Sequence, residues 1–367
     1  MHLHNLMLGS FACVSAVTIS ALSASTVDDQ FERGRALFDH AFSIEEGVGS
    51  PEMNADSCRA CHQDPSLGGA GPLEVNVSRI GRDNGGLGPF EAPVEGQALS
   101  KLYPPTVHGR EEYVALGTGA PDVFEQRQAP AIFGDGLIDQ IPAAVITANE
   151  DVHDANGDGI FGVARRLTVD GAIEIGRFGW KAQIPSLADF VDDAMFQELG
   201  ITTPSNGRGF STSTDGDAVA DPELSQAEVD DLAHFLRELP APQRGGSADP
   251  RVSEGLAVFT AIGCATCHTP SLPSPAGPVP LYSNLLLHNV MPAGFRGMAE
   301  PGADVGFYRT PPLWGIKDTA PYMHDGRAED LDGAILAHDG EAAGVRASYQ
   351  ALTPAEQAAL VVFLEDL

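Results

Sequence analysis

The chain has 367 residues, enough for two or three domains that each bury a core of their own. Hydrophobic residues make up 43% and charged residues 20%, a composition that describes a globular protein and excludes a disordered one. With 51 acidic residues against 21 Lys and Arg the net charge is -30, so the surface repels nucleic acid and anionic lipid and suits neutral or basic partners.

The first 24 residues contain no Asp, Glu, Lys or Arg, and residues 6–22 form a run of apolar and small side chains. Small residues around Ser23-Ala24-Ser25 follow, where a signal peptidase could cut. Residues 1–25 are therefore expected to be a signal peptide for export to the periplasm, with a retained anchor as the alternative. No later segment is long and apolar enough to span a bilayer, so the mature chain is expected to carry no transmembrane helix.

Gly34-Arg35-Ala36-Leu37-Phe38 predicts a helix whose Gly and Phe, four apart, share one face, the glycine permitting close approach of a second helix. Next comes Cys58-Arg59-Ala60-Cys61-His62, and far along the chain Cys264-Ala265-Thr266-Cys267-His268. Without the leader, which holds Cys13, four cysteines remain, all of them in these two motifs. A zinc site would need the four thiols in one place and leaves the adjoining histidines unexplained. Covalent haem uses every residue: the paired thiols add to the vinyl groups and the imidazole reaches the iron. Cys58, Cys61, Cys264 and Cys267 are thus expected to carry two haem c groups, with His62 and His268 as iron ligands.

The second motif is preceded by Gly255-Leu256-Ala257-Val258-Phe259, a counterpart of the segment before the first. Two closing helices match as well. One opens on Ser225 with Glu228 and the other on Thr353 with Glu356, each a capping-box spacing, and Leu232, Phe235 and Leu236 repeat as Leu360, Phe363 and Leu364. The fold is expected to be mainly α, with a cytochrome c-like haem domain over 27–243 and a second over 249–367. Residues 240–247 have linker composition, and the first domain is enlarged by a loop-rich insertion.

Within the insertion, Trp180 is either an electron relay between the haems or a buried aromatic. Asp154-Ala155-Asn156-Gly157-Asp158-Gly159 has the oxygen spacing of a calcium loop, but Arg165 stands where an EF-hand has Glu. The segment is therefore read as a non-EF calcium site or an Asx-rich turn. For the first iron's second ligand His108, His153, Met195 and His234 are candidates. For the second iron Met323 leads, ahead of His324, Met291 and Met298. Met323 lies in Pro321-Tyr322-Met323-His324-Asp325-Gly326, where Pro, Gly and ionisable neighbours argue against a simple core helix.

These motifs, with Phe124-Glu125-Gln126-Arg127, Arg177-Phe178-Gly179-Trp180-Lys181-Ala182-Gln183, Tyr308-Arg309-Thr310-Pro311-Pro312-Leu313-Trp314-Gly315 and His324-Asp325-Gly326-Arg327-Ala328, give the chain a family likeness. It resembles a bacterial family of dihaem c-type oxidoreductases, also termed peroxidases or thiol oxidoreductases. Its C-terminal half is more distantly similar to dihaem cytochrome c peroxidases, in which a similar Pro-Tyr-Met-His-Asp-Gly segment supplies a Met ligand. That resemblance implies Met323 as the ligand of the second haem. It also implies that one haem stores an electron while the other cleaves peroxide. The first domain departs from those peroxidases, so no distal base is carried over. The expected function is a periplasmic dihaem oxidoreductase acting on a small oxidant or reductant such as peroxide. The alternative is a dihaem electron carrier that meets a basic redox partner.

Overall fold

Gly34 and Gly255 each set a close crossing of an opening helix on a closing helix. The structure, a computed structural model, describes residues 28–49, 54–87, 90, 98–99, 122–205 and 217–367; the expected signal peptide over 1–25 and His108 lie outside them. An opening helix over Asp29–Asp39, capped by the Asp28 carboxylate, crosses a closing helix over Gln226–Glu238. A Cβ placed on Gly34 would stand 2.0 Å from the carbonyl oxygen of Asp231 and 2.7 Å from the Cβ of Phe235. The second opening helix, Pro250–Ala261, crosses Pro354–Leu364 in the same way, and a Cβ placed on Gly255 would stand 2.0 Å from the Ala359 oxygen and 2.6 Å from the Phe363 Cβ.

One turn on from each glycine, Phe38 packs on Phe235 with ring centroids 5.2 Å apart, and Phe259 packs on Phe363 at 5.3 Å. Both closing helices start in the expected capping boxes, Ser225 with Glu228 and Thr353 with Glu356. The sequence repeat is therefore a repeat of packing. Because the contact partner is backbone, neither Gly34→Ala nor Gly255→Ala can be relieved by a rotamer change. Each is expected to cost about 1–3 kcal/mol, read as a lower urea midpoint at unchanged slope. An unchanged midpoint would mean that the helices part freely.

Helices dominate, and the sheets between them are small and antiparallel. In the insertion β1 (Val77–Gly81) is flanked by β2 (Ala98–Leu99) and β3 (Val123–Arg127), with Arg79 opposite Glu125 and Val77 opposite Arg127. A hairpin of β4 (Arg166–Val169) and β5 (Ala172–Ile175) follows, then a helix over Leu187–Ala194 that runs into a π turn. The second half adds β6 (Leu272–Ser274) with β7 (Gly277–Val279), and β8 (Leu287–Asn289) with β9 (Phe307–Arg309). Among the described residues no helix is long and apolar enough to cross a membrane.

The larger hydrophobic core gathers the first helix pair and Ile138, Ile141, Ile146 and Ile184 of the insertion. It also takes Leu272, Leu281, Leu285, Leu286 and Trp314 from beyond the linker. A smaller core is built on Val252, Phe259, Tyr349, Leu360 and Phe363. Charge closes the insertion onto the second half. Glu300, 8% exposed, accepts from Arg165 Nη1 at 2.7 Å and faces Arg127 Nη2 at 3.1 Å and Arg79 Nη1 at 3.4 Å.

Candidate functional site

Each cysteine motif folds as one tight turn. Cys58–Cys61 is a single α turn and Cys264–Thr266 a 3-10 turn, each closed by the histidine's amide on the first cysteine's carbonyl at 3.1 and 3.0 Å. His62 Nδ1 lies 3.0 Å from the Pro130 oxygen and 3.2 Å from that of Gly69; His268 Nδ1 lies 3.0 Å from the Tyr282 oxygen. An Nδ1–H given to a carbonyl fixes the tautomer and leaves the Nε2 lone pair for a metal. Burial keeps both rings neutral, lowering His62 below its ordinary range and His268 to about 3.

The four thiols form no disulfide. Burial pushes the Cys58 and Cys264 thiols up to about 12, so they remain protonated rather than thiolate. Among the described residues no three His, Cys, Asp or Glu side chains converge to hold a metal ion, and the two motifs belong to different helix pairs. That arrangement removes the shared zinc site. Haem fits better on a further ground, the presence of buried polar nitrogens with nothing to bind. Arg309, 8% exposed, donates Nε to the Gly179 oxygen at 3.0 Å and leaves Nη1 without a partner. His324, 3% exposed, leaves Nδ1 unpartnered. A buried charged donor such as the Arg309 guanidinium is costly to leave without a partner, and a haem carries two propionates that such a donor can bind.

The ring standing at ligand distance from His268 is that of His338, with centroids 6.4 Å apart. Two imidazoles bound to one iron through their near nitrogens place their centres about 6 Å apart, given metal–nitrogen bonds of about 2 Å. His338 ends the helix Leu331–Ala337, gives Nδ1 to the Ala334 oxygen at 2.7 Å, and is kept neutral by burial. Sequence reading passed over it because the pairing joins a helix end to a distant motif, and only the fold sets that distance.

The loop that carries Met323 and His324 lies between the two halves, with Tyr322 packed into the second core along with Phe259 and Cys264. This loop is closed by the Tyr322–Ala328 bridge, has Met323 at φ 71, and docks on the first half. There the His324 oxygen accepts from the Gln128 amide at 2.8 Å, and the Asp325 oxygen from Asn76 Nδ2 at 2.9 Å. The His324 ring stacks on Tyr308, centroids 3.9 Å apart and planes 15° apart.

Of the other candidates, His153 is exposed, His234 on the closing helix reaches Asp28, the cap of the opening helix, at 2.8 Å, and Met195 is a core residue 1% exposed. Met291 and Met298 are buried at 3% and 0%, and Met298 gives its amide to Glu125 at 2.7 Å. The Asp154 segment is a run of Asx turns. Asp154 accepts from the Gly159 amide, Asn156 from Asp158 and Asp158 from Ile160.

Trp180 sits where the halves meet. Its indole donates to the Gln128 oxygen at 2.7 Å, while Gln128 Nε2 binds the oxygen of Gly71, just past the first motif, at 3.0 Å. The Trp180 oxygen accepts from the Arg309 amide at 2.7 Å, and the Trp180 ring presents an edge to His324 with centroids 6.5 Å apart. Beside it Lys181, 0% exposed, spends its ammonium on the carbonyls of Asp304 and Phe307 at 2.8 and 2.9 Å, and burial lowers it to about 8.

Two such cysteine–histidine turns, each on its own crossed helix pair, are what a dihaem protein requires. The family model described as "Di-haem oxidoreductase, putative peroxidase" matches residues 121–367, and the chain belongs to that family. Over 150 residues it is 31% identical to the cytochrome-c peroxidase IdrP2 of Denitromonas iodatirespirans, a match covering 34% of this chain and 41% of that protein. The chain thus spans about two fifths of that relative's length.

Solved structures similar to it include a MauG-like protein associated with microbial copper homeostasis, at 17% identity and a TM-score of 0.43 over 94% of this chain and 90% of the other. The diheme peroxidase BthA Y463M variant of Burkholderia thailandensis matches at 16% and 0.43, over 92% and 85%. Hydrazine synthase of Kuenenia stuttgartiensis matches at 15% and 0.42, over 98% and 100%.

Proposed function

We propose that the chain is an exported, periplasmic dihaem c-type oxidoreductase that reduces peroxide at the centre held by His62 and stores electrons at the centre held by His268. Cys58 and Cys61 would anchor the first haem, and Cys264 and Cys267 the second. His338 replaces Met323 in this reading as the second ligand of the His268 centre. Haem, once bound, supplies the electron transfer and the O–O cleavage. The protein supplies neutral imidazoles fixed at Nδ1, unpartnered Arg309 and His324 donors suited to propionates, and Trp180 as the relay between the halves. The acidic surface would steer a basic electron-donor protein.

The observation that carries this reading is the inequality of the two centres. Each motif histidine has an opening-helix phenylalanine beside it, Phe38 at 6.4 Å from His62 and Phe259 at 6.5 Å from His268. Among the described residues only His268 also has an imidazole set against it. A centre closed by two imidazoles suits electron storage, and one with an exchangeable face suits substrate.

The test is the spin state of both haems in the oxidised and half-reduced protein, with peroxide turnover measured on the same sample. One low-spin and one ligand-exchangeable haem, with turnover, is the expected result. Two low-spin haems in both states without turnover would make the chain an electron carrier. Covalent attachment is checked separately: both haems should survive denaturation, and Cys264→Ser with Cys267→Ser should release one of them.

A further inference from the structure

We propose that Tyr308 is a redox-active residue, passing one electron toward the peroxide-oxidised first centre and its phenolic proton to Glu125, so that the protein holds an oxidising equivalent as a neutral tyrosyl radical. The proposal rests on the peroxidase reading above and extends it to residues that hold neither haem nor iron.

The phenol is built for coupled loss of an electron and a proton. Tyr308 is 4% exposed and donates its hydroxyl to Glu125 Oε2 at 3.0 Å. Burial alone would raise the Glu125 carboxyl, but the Arg127 charge and the Met298 amide together outweigh it and hold Glu125 ionised. Arg127 Nε reaches Oε1 at 2.7 Å and the Met298 amide reaches Oε2 at 2.7 Å. A base therefore waits at the hydroxyl while the phenol itself stays protonated. Burial, and then the Glu125 charge, push the phenol's own ionisation well above its ordinary range.

Loss of an electron turns a phenol into a far stronger acid. The Tyr308 O–H bond then breaks, and its proton forms an O–H bond to Glu125 Oε2. The electron reduces the peroxide-oxidised centre by one equivalent. When a donor protein returns an electron to the ring, Glu125 returns the proton and the pair is restored.

A route for the electron is present in rings. The His324 imidazole stacks on Tyr308 at 3.9 Å, and burial lowers its titration to about 4, which keeps the ring neutral. Trp180 follows at 6.5 Å, bonded through Gln128 to Gly71 beside the first motif. The Lys181 ammonium lies 4.7 Å over the Tyr308 ring. A cation there opposes removal of an electron and opposes a cationic radical above all. Weak oxidants are thereby excluded, and proton and electron are obliged to leave together. A structural role alone asks for a phenol–carboxylate bond; it does not ask for a neutral imidazole stacked on the ring and a tryptophan next in line.

The test uses the dihaem protein mixed with one equivalent of hydrogen peroxide, freeze-quenched, and examined by EPR and by optical spectra of the haems. A radical signal that narrows when the protein is made with ring-deuterated tyrosine is expected. It should be absent in Tyr308→Phe, which keeps the ring and its stack and removes only the hydroxyl. In Glu125→Gln the signal should be lost or form at least about tenfold more slowly, a change of about 1.4 kcal/mol in barrier. Tyr308→Phe should also retain the resting haem spectra, so that loss of signal is not loss of fold. Haems that react with peroxide while no tyrosyl appears, or a tyrosyl that persists in Tyr308→Phe, would overturn the relay alone. Haem spectra indifferent to peroxide would overturn the peroxidase reading, and the relay with it.

Discussion

Glu300→Gln is expected to destabilise the protein by about 3–5 kcal/mol, the scale seen when one member of a buried ion cluster is removed. The variant leaves Arg79, Arg127 and Arg165 packed together, the last two with side chains 6% and 3% exposed, and no carboxylate among them at Glu300. Against a total of about 5–15 kcal/mol for a typical domain, that is a large share. Burial alone would raise the Glu300 carboxyl, but Arg127, Arg79 and Arg165 outweigh it and hold it far below the usual range. A carboxyl lowered in the folded state contributes its stability above the ordinary carboxylate value and loses it as pH falls through the folded one. The gap between wild type and Glu300→Gln in urea midpoint should therefore be full at neutral pH and narrow in acid, beginning below about pH 4.3. A loss under about 1 kcal/mol, or a gap indifferent to pH, would show that the three arginines find other partners.

Replacing His338 by Ala should convert the second haem from six-coordinate low-spin to a high-spin or ligand-exchangeable form, removing one of two low-spin signals. Peroxide turnover should fall by about tenfold or more, since even changes to the partners of metal ligands reach that scale. Met323→Leu, made in parallel, should leave the second haem's spectrum as it was. The reverse pattern, with Met323→Leu altering the spectrum and His338→Ala silent, would return the ligand to the residue that the resemblance to peroxidases favours. His338 and His268 stand 6.4 Å apart, while the Met323 loop bonds Gln128 and Asn76 of the first half on one side and packs Tyr322 into the second core on the other.

What could be read from residues alone was what is encoded locally. The Gly and Phe pairs of the opening helices and both capping boxes each lie within a few positions and form as expected, and each cysteine motif folds as one local turn. What could not be read depends on contacts between distant segments. In β3 the apolar Phe124 would be taken as the inward side chain, yet it is 68% exposed while Glu125 and Arg127 face inward at 4% and 5%. That inversion has a physical reason: the inward face meets Glu300, Tyr308 and the Met298 amide, so burial is compensated by charge and hydrogen bonds rather than by apolar area. Glu300 and Glu125 are two among 51 acidic residues, and nothing beside them in sequence marks them out. Trp180 was legible as an aromatic in an unusual string; its place between the halves required the Gln128 and Arg309 contacts to be seen.

The division of the larger core bears on how the chain is made. A ribosome that has just completed the linker at residues 240–247 has produced both helices of the first pair and all of the insertion. The core they share is still missing Leu272, Leu281, Leu285, Leu286 and Trp314. Synthesis of the first half is thus finished well before its interior can close. The apolar surface that those five side chains cover therefore stays open until the second half has joined it.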